Sequence, residues 1–389
     1  MRGEVLVATW GGGGNLPPLL SVAALLAGAG CRVRVLVSAA TRPAVRAAGF
    51  QVIDYRRGPD PRVDVPFEAQ AEGVLATIAG AEIAADVHEA LAATGPDVLV
   101  ADCMLPAALA AGEASGTPTV SVVHFLYGTA RGPMARTGDG GTTDLPRLNA
   151  TRRTLGLGPV AGPVEAWEAP DLVLVTAPRW LDAEAGLPPH VVHAGPLGVR
   201  TGPRPDGERA RARPHVLISF STTVMAGQTR LVRAVCDAVA ETGVEALLTL
   251  GPAMSAGAME VPANVTPVAF ADHDQVLPHC DVLIGHAGLG TGLRALAHGV
   301  PQLLLPLGRD QHVNAARIAG LGAGITLPAD SPPTQIRTAL TLLLREGRFR
   351  TAARRAAARI ATDRPDRHAT RALVRLLDRP DRHRSAGAS

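Results

Sequence analysis

The residues best placed to do chemistry lie between His286 and Gln311. His286-Ala-Gly-Leu-Gly-Thr291 follows the apolar run Val282–Ile284, which suits a buried parallel strand, and leads into a helix expected over about Gly292–Ala297. Small residues in such a turn let a ligand approach the backbone, and the amides at a helix start attract an anion. The turn from His286 to Thr291 is therefore a candidate anion site. A second apolar run, Gln302–Pro306, ends at Asp310-Gln311, with the next helix expected from near Val313. A carboxylate beside a carboxamide suits hydroxyl groups. Two consecutive strand ends thus present an anion site and an acid–amide pair, the complement of a diphosphate joined to a sugar.

These motifs resemble the donor-binding half of the two-domain GT-B glycosyltransferases. The branch is the one that decorates antibiotics and other natural products, including the deoxysugar transferases of enediynes and aromatic polyketides. The resemblance spans essentially the whole chain, but its specificity is concentrated in this segment. It implies diphosphate contacts at His286, Gly288, Gly290 and Thr291, and sugar contacts at Asp310 and Gln311. Thr222, in Ser219-Phe-Ser-Thr-Thr223, would also touch phosphate, although relatives usually have Gly before the hydroxyl residue; capping a helix is the competing role. Phe270 and Ala271 fall where relatives stack and read the base, and a strand-end Phe in the core is the alternative. No Asp-x-Asp stands between two strands to hold a metal, and Asp272 and Asp274 read as surface acids on a loop. The donor is therefore expected to bind without an obligatory divalent ion or other cofactor. Arg294 stands where relatives that use ribonucleotides often carry a Glu bonded to the ribose; Arg accepts no hydrogen bond, which favours a dTDP-sugar, though a solvent-facing helix residue would look the same.

In most such transferases the glycine turn after the first strand ends in a His that takes the acceptor's proton, oriented by an Asp from a later strand. Here the turn is Gly11-Gly-Gly-Gly-Asn15, and Asn cannot serve as a base. Asp102, after the strand expected at Asp97–Ala101, matches the orienting acid. Three explanations stand: His124 after the strand at Pro118–Val123, or Asp102 with a burial-raised pKa, replaces the base; the acceptor is acidic enough to need little help; or the chain only binds. Trp10 is a candidate platform for an aromatic aglycone, with core packing as the ordinary alternative.

The elements that must position these residues alternate. Val5–Thr9, Arg32–Ser38, Asp97–Ala101, Pro118–Val123, Leu172–Thr176 and His190–Ala194 read as strands, with helices at Pro17–Gly28, Arg42–Ala48 and Pro106–Ser115. After a Pro-, Gly- and Arg-rich stretch the rhythm restarts: strands at His215–Phe220, Glu245–Thr249 and Val265–Phe270, and helices at Leu231–Glu241, Pro333–Leu344, Arg348–Ile360 and Ala369–Leu377. The pattern predicts an α/β chain with parallel sheets, and the resemblance makes it GT-B, two Rossmann-like domains facing across a cleft. The expected divisions are an acceptor domain at 1–198, a linker at 199–214, a donor domain at 215–365, a helix at 366–378 packing back on the first domain, and a disordered tail at 379–389. Tyr55–Gly73 and Tyr127–Leu157 read as long loops that set acceptor specificity.

Composition agrees. The 389 residues are 47% hydrophobic but only 3% aromatic, so a core of Ala, Val and Leu is expected. All 38 basic residues are Arg, a codon-bias signature, and the net charge of +3 is too small and dispersed for nucleic acid. Four scattered cysteines read as reduced thiols. No apolar run approaches the roughly 20 residues needed to cross a bilayer, and the start leads straight into a strand, so a cytoplasmic protein is expected. Its partners would be a small-molecule donor and a hydrophobic aglycone, with neither nucleic acid nor membrane; a homodimer is left open. The expected activity is inverting, metal-independent transfer of a deoxysugar from dTDP. The alternatives are a nucleotide-sugar 2-epimerase of the same build and a silent sugar-nucleotide-binding partner of another transferase.

Overall fold

In the computed structural model, the described residues are 3–58, 67–131, 144–182, 186–200, 212–251, 254 and 260–378. They form two compact units, one holding residues up to Leu197 together with those from Pro365 onward, the other built on Gly198–Arg364. The first unit contains β1 (Glu4–Ala8), β2 (Arg32–Val37), β3 (Gln51–Asp54), β4 (Val98–Asp102), β5 (Thr119–Val123), β6 (Leu172–Val175) and β7 (Val191–His193). They pair in the order β3-β2-β1-β4-β5-β6-β7, every pair parallel. The second contains β8 (His215–Ser219), β9 (Glu245–Thr249), β10 (Val265–Val268), β11 (Val282–Gly285), β12 (Gln302–Leu304) and β13 (Gly324–Thr326), in the order β10-β9-β8-β11-β12-β13, again all parallel.

The sequence explains these sheets. Strands such as Val-Leu-Val-Ala-Asp are buried end to end, as strands covered on both faces by helices must be. Strand order reverses between β1 and β4 in the first unit and between β8 and β11 in the second, and ligands of open α/β sheets bind outside the carboxyl ends at such points. Both candidate sites start from those edges.

Helix Leu16–Gly28 opens with prolines in its first turn and buries Leu19, Val22, Ala23 and Leu26 on one stripe. Ala369, Leu373 and Leu376 of the last helix, Pro365–Leu377, lie in the same apolar cluster. The cores are aliphatic; Tyr127 is the largest fully buried side chain.

Helices occupy part of each of the two expected long loops. Helices Phe67–Ala79 and Ala81–Thr94 begin inside and just after the first, and Tyr127–Arg131 and Leu145–Thr154 occupy much of the second. Helix Leu145–Thr154 has little apolar periodicity because it is anchored by polar groups. Arg152, nearly buried, pairs with Glu113 at 2.8 Å and donates to the Gly158 carbonyl at 2.6 Å. Residues 59–66, 132–143, most of the expected linker (201–211) and the tail 379–389 lie outside the described residues.

Candidate active site

In the first unit, the neighbouring strands β1, β4 and β5 bring together residues distant in sequence. Asp102, at the end of β4, is fully buried. Its Oδ2 accepts from Trp10 Nε1 at 2.9 Å and Asn15 Nδ2 at 2.7 Å, both from the turn after β1. Its Oδ1 accepts from the Met104 amide at 2.9 Å and faces His124 Nε2, just past β5, at 3.0 Å. Burial alone would push the Asp102 pKa up, but His124 and the donors from Met104 and Asn15 more than offset it and hold the carboxyl below its ordinary range. A carboxylate with a lowered pKa, whose oxygens already accept from Trp10, Asn15 and Met104, is a poor base. Of the two groups expected to replace the missing base, the geometry therefore disfavours Asp102 and sets His124 in the oriented position.

Asn15 stands at the start of helix Leu16–Gly28, where an Asn normally caps the helix, yet its side chain makes no cap bond. Its amide group instead bridges Asp102 and the Trp10 carbonyl, at 2.7 and 3.0 Å. Trp10 is 7% exposed and packs in the core beneath the turn. The expectation of an open aromatic platform there is corrected: the indole N–H is committed to Asp102. A Cβ at Gly12 would fall 2.6 Å from the Trp10 ring, so the glycine run lets the chain fold over the indole.

Asp102, Cys103 and His124 place ligand-type atoms within 4.8 Å of one another. The carboxylate is already saturated, and burial, then the Asp102 charge, pushes the Cys103 thiol well above its usual range. Asp102 is thus already bonded to His124, and the Cys103 thiol beside them stays protonated.

In the second unit, the loops after β8, β11 and β12 adjoin. Helix Leu289–Ala297 starts at Gly288 with no side-chain cap, so its first-turn amides, Gly290 and Thr291 included, lack helical partners. The His286 ring lies over this turn: a Cβ at Gly288 would sit 2.5 Å from His286 Nε2, which only glycine avoids. Burial lowers the His286 pKa to about 4, against a smaller opposing bond with the Ser219 backbone, and Nδ1 is buried without a hydrogen-bond partner. Ala287 is held in the left-handed region at φ 64°, a conformation that needs support from its surroundings.

Asn314, not singled out in the sequence, supplies that support. Its buried Nδ2 donates to the Ala287 carbonyl at 3.0 Å and to Asp310 Oδ2 at 2.8 Å, clamping the turn to the acid after β12. The signal that could have found it is Asp310-x-x-x-Asn314, one turn apart at a helix start. Gln311 is 4% exposed, and its Oε1 accepts from the Leu307 and Gly308 amides at 2.7 and 3.3 Å. Its carbonyl shapes the loop, and only its amide N–H2 stands outside those bonds. Thr222 is exposed and caps nothing; helix Gln228–Ala240 starts after Gly227. Phe270 is 83% exposed, so the core alternative fails, and Ala271 beside it is part-buried.

Asp274 is not a surface acid. It accepts from His298 at 3.0 Å and pairs with Arg294 at 3.5 Å. Arg294, its side chain about a quarter exposed, is thereby paired with an acid.

Residues 233–376 match the family described as the erythromycin biosynthesis protein CIII-like C-terminal domain. The chain is 30% identical over 404 residues to 4'-demethylrebeccamycin synthase of Lentzea aerocolonigenes, covering 91% of this chain and 95% of that protein. The chain belongs to the natural-product glycosyltransferases.

Two solved glycosyltransferases share its fold. The transferase of kitacinnamycin superposes with a TM-score of 0.78 at 22% identity, covering 97% of this chain and 99% of the other. VinC, solved in complex with dTDP, gives 0.72 at 21% identity, covering 98% and 100%. As in such GT-B glycosyltransferases, both units are parallel-sheet Rossmann-like layers. No helix among the described residues is long and apolar enough to cross a membrane.

Proposed function

We propose that this glycosyltransferase is an inverting enzyme that moves a deoxysugar from a dTDP-sugar to a hydrophobic natural-product aglycone in antibiotic biosynthesis, with no metal or resident cofactor. The observation that carries the reading is the His124–Asp102 pair, 3.0 Å apart and fixed by three further donors. A merely binding relative would have no need of an imidazole so oriented. His124 takes the acceptor's proton, and Asp102 stabilises the imidazolium. The acceptor atom forms its bond to the anomeric carbon from the face opposite the leaving group. The C–O bond to the diphosphate breaks, and its electron pair leaves with phosphate oxygen. Asn15 acts through Asp102.

On the donor side, the first-turn amides at Gly288–Thr291 and the neutral His286 ring hold the diphosphate. Asp310, braced by Asn314, and the Gln311 amide bond the sugar hydroxyls, with Thr222 at the phosphate edge. Phe270 is the stacking surface for the base, supported by its exposure, and Ala271 presents backbone to the base edge. The preference for thymidine rests on Arg294, whose side chain accepts nothing and is held by Asp274; VinC holding dTDP agrees. The protein acts as a soluble cytoplasmic enzyme in this scheme.

The test is incubation of the full chain with dTDP-deoxyhexoses and a panel of aglycones in the presence of EDTA. The expected product has the anomeric configuration opposite to the donor's. Retention of configuration, a requirement for divalent ion, or epimerisation of a UDP-N-acetylhexosamine without acceptor would each overturn the reading.

A further inference from the structure

The donor site as described lacks a positive charge. His286 is neutral near pH 7, its pKa lying at about 4. The chain contains no Lys, and Arg294 is engaged with Asp274. Yet breaking the sugar–phosphate bond leaves one more negative charge on the departing diphosphate, and amide dipoles alone must then carry it.

Arg309 stands immediately before Asp310, in the loop after β12. Its φ is 55°, in the left-handed region that glycine adopts far more readily. This loop runs alongside the one after β8: a Cβ at Gly308 would touch Met225 Cε at 3.6 Å, and Arg309 Nη1 reaches Thr223 Oγ1 at 3.5 Å. The guanidinium therefore projects from the sugar-binding loop toward the Ser221–Thr223 loop. It lies near enough to His286 for its charge to disfavour the imidazolium. Strained non-glycine residues persist where surrounding structure maintains them, commonly at functional sites.

We infer that Arg309 is the cationic contact for the donor's diphosphate, gripping it in the ground state and stabilising the charge that builds up as the sugar leaves; this rests on the donor reading above. A guanidinium suits the role because its planar fork matches two phosphate oxygens and it stays charged throughout.

The backbone conformation supplies a clean variant. Arg309→Gly removes the cation and relaxes the φ strain, so a purely structural role would be preserved or improved. Arg309→Lys keeps a point charge without the fork. We expect Arg309→Gly to melt no lower than the parent, to bind dTDP about 10- to 100-fold more weakly, to lose far less affinity for dTMP, and to show a lower kcat. Arg309→Lys should recover part of each loss. The inference is overturned if calorimetry finds dTDP affinity in Arg309→Gly within about twofold of the parent, or equal losses for dTMP and dTDP. A parent that binds no nucleoside diphosphate removes the donor reading and this inference together. A parent that binds, with a glycine variant that binds equally well, removes the inference alone.

Discussion

At the residue scale, Asp102 illustrates how a buried carboxylate can be made to serve another group. Its partners come from three loops, and the buried donors of Trp10 and Asn15 would lose their shared acceptor if the acid were removed. Under this scheme His124→Ala lowers kcat by about 10²- to 10⁴-fold while leaving dTDP affinity unchanged, measured by steady-state kinetics beside calorimetry. An equal loss in both would mean that His124 only holds the fold. Asn15→His should not raise activity, because Asp102 already orients His124 and the Asn15 slot is 2% exposed. The departure at Asn15 was legible from the sequence; its consequence was not, since nothing along the chain says that Trp10, Asn15, Met104 and His124 all meet one carboxylate. Phe270 makes the complementary case. An aromatic ring 83% exposed contributes little to folding, so Phe270→Ala should leave the melting temperature unchanged and weaken nucleotide binding by about 1–3 kcal/mol, the usual worth of a base stacked on an aromatic ring. A drop in stability with intact binding would reverse that assignment.

At the element scale, the decisive unit is the strand-turn-helix from Val282 to Ala297 braced by the helix Gln311–Gly320. Asn314→Ala leaves the Ala287 carbonyl and Asp310 without their shared donor. The expected result is a loss of about 1–3 kcal/mol in stability and a raised KM for the sugar nucleotide, because Asp310 loses its fixed orientation. An unchanged KM would show that Asp310 is not placed by Asn314. Element type was readable wherever apolar runs were unbroken, as at Val282–Gly285, where the expected and observed strands differ by one residue. Helix starts shifted for a physical reason: the helix after β12 begins at Gln311, earlier than Val313, because the chain turns at Arg309 and Asp310 already lies in helical φ/ψ. β13 was missed because three residues, Gly-Ile-Thr, carry no period. Helix Ala81–Thr94 was missed although its Asp86 is buried and accepts from the Arg56, Arg57 and Gly58 amides at 2.7, 2.8 and 3.1 Å, partners that sequence spacing does not reveal.

At the scale of the whole molecule, the repeat of the α/β rhythm after a Pro- and Arg-rich break was enough to announce two parallel sheets, because continuous apolar strands between helices have few other arrangements. Acid stability follows from groups the fold has buried. His286 has a native pKa of about 4 against an ordinary value of 6.5. As pH falls from 6.5 toward 4 the unfolded chain takes up a proton that the native state refuses, so stability is present above 6.5 and is lost through that window. The slope is up to about 1.4 kcal/mol per pH unit, on the order of 3 kcal/mol in all. His273, whose pKa is also lowered chiefly by burial, adds in the same direction. Denaturant unfolding at pH 7 and pH 5 should therefore show a smaller acid loss in His286→Asn than in the parent; equal losses would mean that His286 is not held neutral.

Everything proposed for the donor requires the second unit to grip a nucleoside diphosphate at the carboxyl ends of β8, β11 and β12. Calorimetric titration of the full chain with dTDP in the presence of EDTA tests it most directly. The expected result is saturable one-site binding that survives the chelator, weakens in Phe270→Ala, and is stronger than for UDP. Absence of heat with either nucleotide, or binding that disappears with EDTA, would contradict it.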